Sequence, residues 1–244
     1  MKFTPVLLAV ALAAASSAAT AAAPSSLLSK LSAAAPRANP QVIELALQAH
    51  ECAIATGVAP RAKRLAVIDY SLPSTQRRLW VFDLSAQKLM YDEYVAHGQG
   101  TGDNMARNFS NQDGSHQTSL GLFTTAETYQ GGNGYSMRMN GLEPGTNDNA
   151  RARAIVMHGA PYVNPALAKT QGRLGRSWGC PALRPEVAKE VIDNLKQGQM
   201  LFAYYPDKNW LAKSPFLNCK TKANDTRVAS VGGGLTAGAR ARPR

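Results

Sequence analysis

Two residues stand out for what their side chains could do. Cys180 follows Gly179 in the run Arg173-Leu-Gly-Arg-Ser-Trp-Gly-Cys-Pro-Ala-Leu183. His158 closes the apolar run Ile155-Val-Met157 and precedes Gly159. A thiolate is a strong nucleophile, and an imidazole can take its proton. A glycine beside the nucleophile lets backbone amides approach a substrate oxygen with no side chain in the way. Cys180 with His158 is therefore the minimal equipment for acyl transfer through a thioester. A metal site is a poorer reading, because these two residues supply only half of the about four ligands that zinc takes. The sequence calls for no metal and no organic cofactor.

The other candidates are weaker. His116, in Gly114-Ser-His-Gln117, reads as a loop residue with a possible role lining a cleft. His97 reads as a surface residue at a strand end, His50 as a structural helix residue and Asp148 as a turn former. Arg138, Arg173 and Arg176 are candidates for binding substrate carboxylates, with a solvated charge the equal alternative. Ser177 is placed to shape the turn that carries Cys180.

These residues need a scaffold. The chain has 244 residues, 45% of them hydrophobic and 18% charged, which suits one or two folded domains. Short apolar runs dominate the middle: 65–70, 79–84, 88–96, 122–129, 135–139, 154–157 and 200–205 read as strands separated by polar or Gly-rich turns. Residues 97–121 read as a long loop. Asn39-Pro40 opens a helix that Gly57 ends, and a second helix follows the Cys180 segment over 185–197. No repeat of 20–50 residues is visible, which excludes solenoids and propellers. The expected class is mainly β.

The ends set the compartment. Met1-Lys2, an apolar stretch over 3–15 and a run of small residues have the three-part plan of a secretory signal peptide, assigned to 1–21. No later run is long enough to span a bilayer, so no stable membrane anchor is expected. The remaining divisions are a linker over 22–38, the N-terminal helix over 39–61, a catalytic domain over 62–219 and a disordered basic tail over 220–244. Three cysteines in an exported chain leave one unpaired. Cys52 and Cys219 flank the domain and are expected to pair, leaving Cys180 free. The net charge of +11 favours anionic surroundings; the export signal disfavours nucleic acid.

His158-Gly159 followed by Ser177-Trp-Gly-Cys180 resembles the signature of the L,D-transpeptidases, in which a His-Gly precedes a Ser/Thr-His-Gly-Cys element. Arg78 to Leu89 is similar to that family's opening hairpin, and Ser119-Leu-Gly-Leu-Phe123 to its Gly-containing loop and strand. The likeness covers about residues 62–207. It is nearest to the murein L,D-transpeptidase branch, where Arg-Ser-Trp-Gly-Cys-Pro-Ala is characteristic. It implies a β-sandwich with a helix after the catalytic loop. It makes Cys180 the nucleophile, His158 the base, and the amides of Trp178, Gly179 and Cys180 oxyanion donors. Gly159, Ser177, His116 and Arg176 then fall to substrate binding. The implied reaction joins peptidoglycan stem peptides 3→3 in the periplasm or cell envelope. Trp178 departs from the commoner histidine, and an indole cannot carry a proton. Two rivals stay open: an L,D-carboxypeptidase or endopeptidase in which water resolves the thioester, and a non-catalytic wall-binding protein.

Overall fold

The computed structural model describes residues 26–219. The expected signal peptide, the first part of the linker and the basic tail lie outside the described residues.

Among the described residues, eight strands form one sheet: β1 (Arg64–Asp69), β2 (Leu79–Asp83), β3 (Lys88–Glu93), β4 (Gly121–Gly131), β5 (Gly134–Gly141), β6 (Val156–Gly159), β7 (Ala182–Leu183) and β8 (Met200–Tyr204). Their spatial order is β3-β2-β1-β8-β4-β5-β6-β7. The β1–β8 and β6–β7 pairs are parallel and the others antiparallel. The two edges meet: Ala96, just past β3, donates its N–H to the Ala182 carbonyl in β7 at 2.9 Å. The sheet thus nearly closes around its core, which hides both of its edges from other chains. The mainly β expectation holds.

Among the described residues, five α-helices accompany the sheet: α1 (Ser26–Ala34), α2 (Pro40–Ala55), α3 (Pro165–Gln171), α4 (Pro185–Leu195) and α5 (Lys208–Lys213). α2 starts as the sequence indicates, with the Asn39 side chain accepting from the Gln41 N–H. It packs on β1 and β8, while α4 packs on β1 and β6. Leu65, Ala66, Val67 and Ile68 are accordingly all buried, as in strands covered on both faces. Val42, Ile43, Ala46 and Leu47 of α2 join the same core, so the N-terminal helix and the sheet form one unit.

One expectation is corrected here. Residues 26–34, read as linker from their Ala and Ser content, form α1. Leu28, Leu31 and Ala35 recur at helical spacing and are buried against the core. A buried leucine contributes roughly 2 kcal/mol, which outweighs the weak local composition.

A disulfide joins Cys52 of α2 to Cys219 beyond α5, 167 residues apart, and Cys180 is free.

Candidate active site

β6 and β7 bring the two chemical residues together. His158 stands opposite Ala182 in the parallel pair. Cys180 lies two positions before Ala182, which sets it beside Val156, two residues before His158, and the Val156 N–H points at its Sγ across 3.4 Å. Both residues line one cavity of about 430 Å³. His158 is 2% exposed and Cys180 8%.

The turn before Cys180 is held from three sides. The Ser177 N–H donates to the His97 carbonyl at 3.0 Å, and the Gln99 N–H to the Ser177 carbonyl at 2.8 Å. Ser177 Oγ donates to the Cys180 carbonyl at 2.7 Å and accepts from the Gly179 N–H at 3.1 Å. Thr118 Oγ1 accepts from Gly98 N–H at 3.0 Å and donates to the Gly179 carbonyl at 3.1 Å. Gly179 has φ +119°, and a Cβ there would stand 2.8 Å from the Gln117 carbonyl oxygen. Only glycine fits.

The electrostatics keep thiol and imidazole neutral at rest. Burial pushes the Cys180 thiol up; the Val156 amide, whose N–H points at Sγ across 3.4 Å, and the Arg153 charge oppose it. Burial pulls the His158 imidazole down, against its hydrogen bond to the Gly159 carbonyl. That bond, Nδ1 to oxygen at 2.9 Å, puts the hydrogen on Nδ1, because a carbonyl can only accept. The Nε2 lone pair is left available. The site can therefore pass a proton from thiol to imidazole as the sulfur attacks.

The remaining expected residues divide. Ser177, Trp178 and Arg176 line the cavity. Arg176 Nη1 is tied to Asp103 Oδ1 at 2.9 Å and to the Gly102 carbonyl at 3.1 Å. Trp178 is 71% exposed and stacks face to face on His116, ring centroids 5.0 Å apart. His116 itself lies behind the indole, outside the cavity lining. Gly159 also stands apart from the cavity. It packs closely on α4, where a Cβ would meet Ala188 Cβ at 2.9 Å. The oxyanion assignment narrows too. The Gly179 N–H is spent on Ser177, whereas the amides of Trp178 and Cys180 have no acceptor among the described residues.

His97 is not the surface residue expected. It is buried, accepting on Nδ1 from Arg78 Nη2 at 2.8 Å and donating from Nε2 to the Gly102 and Asp103 carbonyls at 3.2 and 3.0 Å. Burial and the Arg78 charge lower its pKa to about 4, so it stays neutral in a single tautomer. Arg78, wholly buried, also donates to the Val95 and Leu72 carbonyls. This pair fixes the segment on which Ser177 hangs. Arg153, Tyr162 and Asn133 also line the cavity and were not singled out by the sequence. Arg153 precedes Ala154 in the wall, where Ala154 takes a left-handed φ of +53°. That conformation is costly for alanine and often marks a functional turn; here it carries the Ala154 carbonyl to 3.8 Å from Cys180 Sγ.

A buried thiol and a buried imidazole thus line one cavity within a nearly closed sheet. Residues 34–204 match the L,D-transpeptidase catalytic domain, and the chain belongs to that family. The match begins before α2, in keeping with the shared core. Among solved structures, the chain is similar to an L,D-transpeptidase from Mycobacterium smegmatis, at 16% identity over 59% of this chain and 59% of that one, with a TM-score of 0.36. It is also similar to an L,D-transpeptidase from Mycobacterium tuberculosis H37Rv, at 15% identity over 59% and 58%, TM-score 0.35. A third, from Stackebrandtia nassauensis, shows 14% identity over 61% and 58%, TM-score 0.35. The chain thus spans less than two thirds of the length of these relatives. No curated protein matches it.

Proposed function

We propose that this protein is an exported cysteine L,D-transpeptidase that joins peptidoglycan stem peptides 3→3. The observation that carries the reading is the shared cavity: it is lined by Cys180, a free thiol, and by His158, whose Nε2 has no hydrogen-bond partner among the described residues. Family membership supports the substrate class. Export is supported by the N-terminal pattern and by the Cys52–Cys219 disulfide, since such bonds persist in oxidising compartments.

Cys180 Sγ attacks the carbonyl carbon of the third stem residue while its proton passes to His158 Nε2. The amides of Trp178 and Cys180 receive the oxyanion. The C–N bond to the fourth residue, a D-alanine, breaks, and His158 returns the proton to the departing nitrogen. The amine of a neighbouring stem then attacks the thioester, giving its proton to His158. The C–S bond breaks and the thiol is restored. Arg176 Nη2 and Nε have no partner among the described residues and offer donors to a stem carboxylate.

The test uses purified disaccharide-tetrapeptide. The expected product is a dimer whose mass is that of two substrates less one D-alanine. Tripeptide monomer alone would assign the protein as a carboxypeptidase. Intact tetrapeptide bound without turnover would leave only a wall-binding role.

A further inference from the structure

We propose that Arg153 is the counter-charge of the Cys180 thiolate, a positioning residue for the acyl transfer proposed above, on which this inference rests. Arg153 and Cys180 lie on the walls of the same cavity. Arg153 Nη1 donates to the Ser110 carbonyl and Ser119 Oγ, both at 2.7 Å. Its Nη2 donates to Ser115 Oγ at 3.1 Å and the Gln117 carbonyl at 2.7 Å. All four partners are neutral oxygens. The guanidinium is therefore clamped in place with its charge unspent, and the exposed Asp113 is the acid whose field reaches it.

The other groups facing Cys180 do not supply this charge. Arg176 is ion-paired with Asp103, a carboxylate it shares with Arg173 at 3.7 Å. His158 is held neutral by burial. Burial raises the phenols of Tyr162 and Tyr70, which stay uncharged. The Val156 amide adds only a partial charge. Among the described residues around the thiol, Arg153 is the permanent cation that makes no ion pair, with Asp113 acting on it only through its field.

The clamp also argues against the other use of an arginine in a cleft. Fork-like recognition of a carboxylate takes two parallel N–H donors. Those of both Nη atoms are committed to residues 110–119. Arg153 thus acts through its field on sulfur rather than as a carboxylate ligand. The same four bonds fix the loop that holds His116 against Trp178.

The test is alkylation of Cys180 by iodoacetamide against pH on the folded, disulfide-bonded protein. Only the thiolate reacts appreciably. Arg153→Gln should move the midpoint upward by about one pH unit and slow alkylation at neutral pH about tenfold. Arg153→Lys keeps the charge and loses most of the clamp; its midpoint should stay near that of the wild type. Ser115→Ala trims the clamp and keeps the charge, and should leave the midpoint in place. An Arg153→Gln midpoint equal to the wild type would overturn the proposal. So would an Arg153→Lys midpoint raised as far as that of Arg153→Gln, which would make the residue a loop clamp only. Should Arg153→Gln fail to fold, the Arg153→Lys midpoint decides: unmoved supports the counter-charge, raised overturns it. The measurement needs no peptidoglycan, so it fails independently of the substrate reading.

Discussion

His158→Ala is expected to slow acylation of Cys180 by about a thousandfold, within the usual range for loss of a positioned general base. Burial holds the Cys180 thiol neutral, so attack requires that its proton leave as the sulfur bonds to carbon. His158 Nε2 is the open imidazole nitrogen on that cavity. The other histidines cannot substitute. His97 has both ring nitrogens engaged, and His116 lies behind Trp178. A pH consequence accompanies this. The base works only when neutral, and its neutral fraction grows as pH rises through its pKa. Burial lowers that pKa below the ordinary imidazole value of about 6.5. The acid limb of kcat/KM should therefore lie below that value in the wild type and vanish in His158→Ala. Pre-steady-state acylation by a tetrapeptide donor measures the rate. A variant retaining more than about a tenth of the wild-type rate would remove His158 from the role of base.

The second large effect concerns stability. Replacing Cys52 and Cys219 together by Ala should lower the free energy of unfolding by about 2–5 kcal/mol. The bond closes a loop of 167 residues, and cross-linking so long a loop strips much entropy from the unfolded chain. It also ties the segment after α5 to α2, whose other face packs on β1 and β8. At the usual scaling for a domain of this size, the melting temperature should fall by on the order of 10 °C. Thermal unfolding of wild type with and without reductant, beside the double variant, makes the check. Equal melting temperatures in all three would show the cross-link to be energetically idle. Cys180 remains reactive in either case, so activity at low temperature should persist.

Much of this was legible in the sequence because burial writes itself as periodicity. The strand runs and the 185–197 helix pattern correspond to elements displaced by only a few residues. Cys180 and His158 were legible by chemical type and by the glycines beside them. What escaped has physical causes. α3 and α5 are short, and their signals are only caps: Asn164 before Pro165, and Asp207 accepting from the Trp210 N–H. The Asn164-Pro165 pair repeats the Asn39-Pro40 signature. β7 has two residues and exists because β6 lies alongside, which no local pattern records. Arg78, His97 and Arg153 look like any polar residues in one dimension. Their roles depend on carbonyls far along the chain, such as Val95 for Arg78 and Gln117 for Arg153. Gly159 and Gly179 illustrate the converse. Both read as site residues in one dimension; the structure adds that Gly159 packs closely on α4 and that the Gly179 N–H bonds Ser177 Oγ.

The central claim is that Cys180 carries the acyl group as a thioester. The direct measurement is the intact mass of the protein after brief exposure to a tetrapeptide donor, followed by peptide mapping. The account predicts a mass increase equal to the donor less D-alanine. The adduct should map to Cys180, be removed by hydroxylamine and be absent from Cys180→Ala. An adduct on another residue, or cross-linked product still formed by folded Cys180→Ala, would contradict it.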